Sequence, residues 1–489
     1  MNEEHRPVHN NFIGGKSIPA VSGRTFQRFT PYDQTLVATY QDSDERDVEL
    51  AVDASREAFD NGPWPRLSAV ERAAILHRAA DLLRERVDSL SVVLASEVGQ
   101  PGQRAAVLEA ADHIDYNAAL AVSRRDDAIY GQRHDAIGIV AKEPIGVVGS
   151  LTSWNVPLSV AYKTLPGIAV GCTAVVKPGH QASGAVVEFA KILQEANLPD
   201  GVFNYVTSAR ENGAIAGQAI AAHSRVDMVT FTGSHTTGRA VMRAASDSLK
   251  KVSLELGGKS PHVVFADAES LDAIAASAAK GIVRLAGQSC QAGSRLLLQE
   301  SVKDEFMELL LAHVAKAKLG SPFDQSTTCG PLVTDEQRQR VEKHVAAGLQ
   351  EAALVVGGKR PGDPELRKGF FFEPTVFDNV PPNARIAQEE VFGPVLSVMT
   401  FKDLDDAVSL ANQTVFGLAA GCWTRDIDTA LQFGKRIRSG VMWINSYRDD
   451  SVLKHMPMGG YKQSGVGRER GPEGMDAFLE PKSIMIKLR

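Results

Sequence analysis

Through the first third of the chain, apolar residues recur at helical spacing. Within residues 47–59, Val48, Ala51, Val52, Ser55 and Phe59 share one face. Ser68 stands three residues before Glu71, the spacing of a capping box, and Leu76, Leu83, Val87 and Leu90 continue an apolar stripe behind it. This spacing predicts core-facing helices that carry no chemistry. From Ile145 the pattern changes. IGVVGSLT, TAVVKP, VFNYV, MVTFTGS and KVSLEL are short runs rich in Val and other β-formers, with helical segments of about 10–15 residues between them. Strands alternating with helices predict an α/β fold whose parallel sheet is covered on both faces. A second alternating region starts near Gly258, with candidate strands in HVVFAD, RLLLQE, PVLSVMTF, GLAAGCWT and GVMWINS. GGKRPGDPELRKGF and MPMGGYKQSGVG read as loops. FLEPKSIMIKLR reads as a strand without a neighbour of its own, one that completes a sheet elsewhere or in another subunit.

Composition narrows the class. The chain has 489 residues, which at about 150 residues per domain suggests two or three domains. Hydrophobic residues make up 44% and charged residues 23%, ordinary for a globular protein with large cores. A net charge of -6, with Lys and Arg scattered, gives no reason to expect nucleic acid or an anionic membrane as partner. Cys172, Cys290, Cys329 and Cys422 are far apart in sequence and form no CxxC pair, which argues against a disulfide framework or a zinc cluster. Histidines are dispersed without an HExxH, so no metal is expected. The start, MNEEHRPVHNNF, lacks the apolar core of a signal peptide, and no run of 18 apolar residues occurs. The expectation is a cytoplasmic protein with reduced thiols.

Parallel sheets bind ligands beyond the carboxyl ends of their strands, so the residues after each run carry the candidate chemistry. Asn155 follows the first run; its amide either donates into a cleft or turns the chain. Lys177 ends the second, either as a ribose or phosphate ligand or as a surface lysine. Gly233 and Ser234, with Gly238 at helix entry, form either a phosphate-facing helix N-terminus or a tight turn, and the motif is not GxGxxG. Glu255 ends an apolar strand before two glycines. A carboxylate buried there is a candidate general base with a raised pKa; otherwise it caps or pairs. Cys290 lies in AGQSCQAGSR, among small and polar residues, as a reactive or a structural thiol. Together these describe a nucleotide site with a carboxylate, an amide and a thiol nearby.

SWNVPL, VVKPG, FTGSHTTG, LELGGKSP, GQSCQAGSR, EEVFGPV and MPMGGYKQSGVGRE follow one another in this order. In this the sequence resembles the aldehyde dehydrogenase superfamily, of the NAD(P)-dependent, hydrolytic type, over nearly the whole chain. The resemblance implies that Cys290 is the nucleophile and that local dipoles favour its thiolate. It further implies that Asn155 and the Cys290 backbone N–H hold a thiohemiacetal oxyanion, and that Glu255 activates the water that hydrolyses the thioester. Glu469 would relay protons, and Lys163 would assist near the oxyanion. On the cofactor side it implies Lys177 at the adenine ribose, Gly233 and Ser234 at the pyrophosphate, Glu390 at the nicotinamide ribose and Phe392 beside the ring. Trp154, His180, Gly238 and Leu256 complete that set. The implied fold has a Rossmann-like parallel-sheet cofactor domain (1–123 and 144–257) and an α/β catalytic domain (258–470). A small β bridging element for oligomerisation (124–143 and 471–489) completes it, in a homodimer or homotetramer.

Three departures change what is expected. His180 stands where many NAD-preferring members carry Glu, so the repulsion of a 2′-phosphate is absent and NADP is expected beside NAD. Ser153-Trp154-Asn155-Val156 lacks an aromatic after the Asn, and the segment to Lys163 is one residue short, which weakens the role of Lys163. The loop NSYRDDSVLKHMPMGG carries Arg448, Asp449, Asp450, Lys454 and His455. Arg448 there either meets the carboxylate of a semialdehyde or is solvated charge at a mouth. Competing readings are transfer of the acyl group to coenzyme A, a cofactor-independent esterase, and a catalytically silent scaffold. Glu255 argues against the first, both Glu255 and Cys290 argue against the last, and dependence on NAD(P)+ separates the esterase.

Overall fold

The computed structural model describes residues 7–448 and 452–488. Asp449 and Asp450 of the polar loop lie outside the described residues.

The runs read as strands from Ile145 form the middle of an eight-stranded sheet. Its order is Gly465–Val466, Lys251–Glu255, Met228–Thr232, Val147–Leu151, Thr173–Lys177, Phe203–Tyr205, Asn11–Ile13 and Lys16–Ile18. The five central strands are parallel, and antiparallel strands flank them at both edges. Every residue of Val147–Leu151 is buried. Its two faces feed different cores. Val148, Ala174 and Val176 pack with Phe189 and Leu193 on one side. Val147, Val175 and Val229 pack with Val48, Ile220 and Val241 on the other. Burial on both faces is why these strands read as continuous apolar runs instead of alternating ones.

The second region forms a seven-stranded sheet. It is parallel from Thr375–Asp378 through Val441–Ile444, with Ala353–Val356 antiparallel at one edge. Val263 and Leu297 face one core, and Val264, Leu296 and Leu298 the other.

Helices Glu45–Asp60, Ala69–Glu85, Val87–Val98 and Gln103–Ser123 bear out the helical periodicity. The capping box forms: Ser68 Oγ accepts from the Glu71 backbone N–H, and the Glu71 carboxylate accepts from the Ser68 N–H at 2.8 Å. A wholly helical first third is not found, because five short strands precede Glu45. Each spans two to six residues, too few for a period to emerge.

The tail strand completes a sheet elsewhere, as expected, and does so within the same chain. Leu479–Lys487 pairs antiparallel along its whole length with Ala136–Pro144 of the same chain. Asp127–Ile129 completes this three-stranded sheet, in which the tail is an edge strand. The sequence could not reveal this partner, which lies over 300 residues upstream. Among the described residues no helix is long and apolar enough to cross a membrane.

Candidate active site

Register aligns the ends of the central strands. Leu151 lies opposite Lys177, and Thr232 opposite Glu255, so the residues that follow fall along one rim. A cavity of about 860 Å³ opens there. Trp154, Asn155, Lys177, His180, Gly233, Ser234, Glu255, Leu256, Cys290, Glu390 and Phe392 all line it. Ser234 caps helix His235–Ser246, its hydroxyl accepting from the Thr237 N–H at 3.2 Å. Gly238 does not line the cavity; a Cβ there would come within 2.6 Å of Leu256 Cδ2, so the glycine lets that side chain lie flat on the helix.

Lys177 sends its ammonium to the Pro178 carbonyl at 3.0 Å, and burial lowers its pKa to about 8. Gly213 leaves room for it, since a Cβ there would sit 3.3 Å from Nζ. Burial lowers the His180 pKa to about 4, with help from the charges of Lys177, Arg28 and Arg210. The imidazole is therefore neutral at neutral pH. Trp154 meets Phe392 edge to face, with ring centroids 5.6 Å apart.

Three backbones converge at the thiol. Leu285, Ala286 and Gly287 take consecutive left-handed conformations, with φ of 55, 49 and 67°. For Leu and Ala this is a strained choice that packing must enforce. A Cβ on Gly287 would overlap the Gly393 carbonyl, and one on Gly258 would overlap the Cys290 carbonyl. A Cβ on Gly257 would overlap the Glu390 carboxylate, whose Oε1 accepts from the Gly258 N–H at 3.0 Å. Glycine thus allows the thiol loop, the LELGG turn and the EEVFGPV segment to touch through their main chains. Gly287→Ala is expected to destabilise the protein by about 1–3 kcal/mol and to lower kcat/KM at least about 10-fold. Thermal melts and steady-state kinetics check this.

Cys290 is half-buried. Burial, then the Glu390 and Glu255 carboxylates, push its pKa up to about 12, and Arg448 opposes them. Burial thus outweighs the local groups, Arg448 and the Cys290 backbone N–H, that favour the thiolate. Asn155 Nδ2 donates to the Gln288 carbonyl at 3.2 Å, two residues before Cys290. Glu255 is 4% exposed, and neither carboxyl oxygen has a hydrogen-bond partner among the described residues. Burial, and then the charge of Glu469, hold its pKa well above the usual carboxylate range. Lys163, 1% exposed, forms an ion pair with Glu469 and donates to Thr230 Oγ1 at 2.9 Å. Lys163 and Glu469 lie outside the cavity lining, and their charges act on Glu255 from behind.

Sequence reasoning missed the support behind the thiol. Tyr447 lies in a slot between Gly421 and Gly293, where a Cβ on either glycine would press on its ring. It stacks on His262 with centroids 4.5 Å apart, and its hydroxyl donates to the Gln291 carbonyl at 3.2 Å. His262 Nε2 accepts from the Trp423 indole at 2.7 Å, and burial lowers its pKa to about 3. The one signal for it was a histidine inside an apolar strand. Also missed was Arg470, whose guanidinium lies 4.6 Å from the centre of the Tyr162 ring.

The family model for the aldehyde dehydrogenase family matches residues 18–484. Aldehyde dehydrogenase family 2 member C4 of Arabidopsis thaliana is 41% identical over 483 residues, 98% of this chain and 94% of that protein. The fold is similar to the crystal structure of the NAD-dependent aldehyde dehydrogenase from Sinorhizobium meliloti, with a TM-score of 0.95 and 41% identity over 98% of this chain and 95% of that one. It is also similar to betaine aldehyde dehydrogenase from Staphylococcus aureus in complex with NAD+, with a TM-score of 0.95 and 34% identity over 98% and 95% of the two chains. Sequence identity and a shared fold, both spanning nearly the full length, place this chain in the aldehyde dehydrogenase family.

Proposed function

We propose that the chain oxidises an aldehyde to its carboxylic acid, with NAD+ or NADP+ as acceptor, through a thioester on Cys290. The observation that carries this reading is the placement of Cys290 and an unpartnered, buried Glu255 on the same cavity. Glu255 takes the thiol proton, and the sulfur attacks the aldehyde carbon. One Asn155 amide N–H is held by Gln288, which leaves the other, with the Cys290 N–H, for the oxyanion. When bound, the oxidised nicotinamide supplies the hydride acceptor that turns this adduct into the thioester. Glu255 passes that first proton on through Glu469 and Lys163, then draws a proton from water, which attacks the thioester and frees the acid, leaving Cys290 as the thiolate. Lys163 is already held by Glu469 and Thr230, so we assign it to proton relay with Glu469 and not to the oxyanion.

The cavity fits a dinucleotide. Lys177 has a carbonyl and no carboxylate on its ammonium, Gly233 and Ser234 open a helix N-terminus, and the Trp154–Phe392 pair offers a ring surface. Glu390 anchors the ribose nearer the thiol. We assign residues 1–123 and 144–257 to the cofactor domain, 258–470 to the catalytic domain, and 124–143 with 471–489 to the bridging element. The open edge of Leu479–Lys487, with Met485 86% exposed, supports a homodimer or homotetramer. The four free cysteines suit a reducing cytoplasm. Glu255 beside the thiol favours hydrolysis over acyl transfer to coenzyme A.

The test is formation of reduced nicotinamide with a panel of aldehydes, each with NAD+ and with NADP+. Turnover that needs both aldehyde and cofactor supports the reading; its absence across the panel overturns it. Because His180 is neutral and sits by Lys177 and Arg210, NADP+ is expected to work beside NAD+. His180→Glu should cut kcat/KM for NADP+ at least about 10-fold more than for NAD+. NADP+ inert with the wild-type protein would refute this.

A further inference from the structure

Asn155 serves an oxyanion only if its amide is aimed at the place where that charge forms. Its Nδ2 donates to the Gln288 carbonyl at 3.2 Å, so the direction of the amide depends on where that carbonyl stands. Gln288 follows the left-handed run Leu285, Ala286 and Gly287. That run is strained for Leu and Ala and persists only where something holds it.

The fully buried Gln288 side chain supplies the hold. Its Nε2 donates back to the Leu285 carbonyl at 2.9 Å, which also accepts from the Gln288 N–H at 3.0 Å. The same Nε2 reaches the Pro331 carbonyl at 3.4 Å, and Oε1 accepts from the Val333 N–H at 2.9 Å. The side-chain amide thus pairs with residues 331–333 as the peptide of a neighbouring strand would. A carboxylate has no donor for the two carbonyls, and an aliphatic chain of the same length satisfies none of the three groups.

The segment that Gln288 grips is itself tied down. Gln100 Nε2 donates to the Pro331 carbonyl at 2.6 Å, and the Leu332 N–H to the Phe370 carbonyl at 3.0 Å. Buried Arg28 donates to the Val333 carbonyl at 3.2 Å. Thr334 then caps helix Asp335–Glu351, and Gln337 of that helix donates to the Phe392 carbonyl at 2.8 Å. Gln288 does not line the 860 Å³ cavity, so its influence on the chemistry runs through the groups it holds.

We propose that Gln288 is a positioning residue for the oxyanion: it fixes the thiol loop against residues 331–333 and thereby aims the remaining N–H of Asn155. This rests on the dehydrogenase reading above, in which Asn155 and the Cys290 N–H receive the oxyanion. Reactions that form an oxyanion feel the loss of Gln288, and reactions that use the sulfur alone do not.

Two reactions of Cys290 separate these cases, and neither needs aldehyde or cofactor. p-Nitrophenyl acetate is attacked at its carbonyl carbon; the oxygen becomes an oxyanion, nitrophenolate leaves and an acetyl thioester remains. Iodoacetamide is attacked at its methylene carbon; iodide leaves, a thioether forms and no oxyanion arises. Cys290 is the one cysteine of the four that is not buried, so both reagents report on it. The ratio of acetylation to alkylation rate cancels any change in ionisation of the thiol. Gln288→Met keeps the chain length and loses the amide, and should lower this ratio about 10-fold. Asn155→Ala should lower it about 100-fold. Adding Gln288→Met to Asn155→Ala should cost no more than about 2-fold further, because the donor that Gln288 aims is gone. Gln288→Glu, closest in shape but without the donor, should also lower the ratio about 10-fold and carries the test if the Met variant does not fold. A ratio unmoved in the Gln288 variants, or losses that multiply in the double variant, would overturn the proposal. So would failure of both single Gln288 variants to fold, since that would make Gln288 a folding residue. If Asn155→Ala itself kept the wild-type ratio, the oxyanion role in the dehydrogenase reading would fall, and this proposal with it. The expected pattern in a protein that oxidises no aldehyde would uphold the role of Gln288 and sink the dehydrogenase reading alone.

Discussion

Cys290→Ala is expected to abolish aldehyde oxidation, with kcat/KM falling at least about 10⁴-fold. The other three cysteines are buried, so none stands in for the lost sulfur. Removing a half-buried sulfur from a loop of small residues should leave the melting temperature nearly unchanged. Steady-state assays and thermal melts on the same preparation separate lost chemistry from lost folding. A variant that kept more than about a hundredth of the wild-type rate would show that the covalent route is wrong. Because burial pushes the Cys290 thiol up to about 12, wild-type alkylation by iodoacetamide should be slow at neutral pH and should climb through the alkaline range. A fast, pH-insensitive reaction would mean that the sulfur is already ionised.

Glu255→Gln is expected to slow attack by Cys290, which then depends on the thiolate present at the working pH, and to stall the cycle after oxidation. The variant should release about one equivalent of reduced cofactor per site and then turn over about 10²–10³-fold more slowly than wild type. Intact-mass measurement should find the acyl group on Cys290. A rate lost without any acyl adduct would place Glu255 in the first step alone. The same change has a stability consequence whose sign follows from the raised pKa. A carboxyl with a folded pKa above its unfolded one holds its proton more tightly in the native state. That contribution is fully present below the unfolded value and is lost as pH rises through the folded one. Glu255→Gln, which never ionises, should therefore melt at a higher temperature than wild type at neutral and alkaline pH, and at nearly the same temperature in acid. The wild-type residue trades stability for a base.

The parts of the site that were legible in the sequence are those carried by single strand ends. Asn155, Lys177, Glu255 and the glycines after it each follow a short apolar run. A parallel sheet brings such ends to one rim whatever the loops do. Less was legible wherever partners are remote. The five strands before Glu45 are too short to show a period, and the tail strand pairs with a segment that only the fold brings near. Nothing in Leu285 or Ala286 announces a left-handed backbone, because neither residue favours it. The burial of Cys290 was illegible for the same reason. Its pKa depends on burial and on Glu390, a hundred residues downstream. Arg470 is an unremarkable basic residue in the sequence until the Tyr162 ring beneath it shows where it stands.

The strand Gly465–Val466 bears on how the protein is made. It closes the edge of the first sheet beside Leu254 and Glu255. Glu469, just after it, supplies the charge that acts on Glu255 from behind. Glu255 and its pairing partner Gly465 are about 210 residues apart along the chain. A ribosome adding about 5–20 residues per second needs roughly 10–40 seconds to cover that distance. Throughout that interval the nascent chain displays an unpaired strand edge, a template for mispairing with another chain. The base cannot acquire its buried environment until the wait is over.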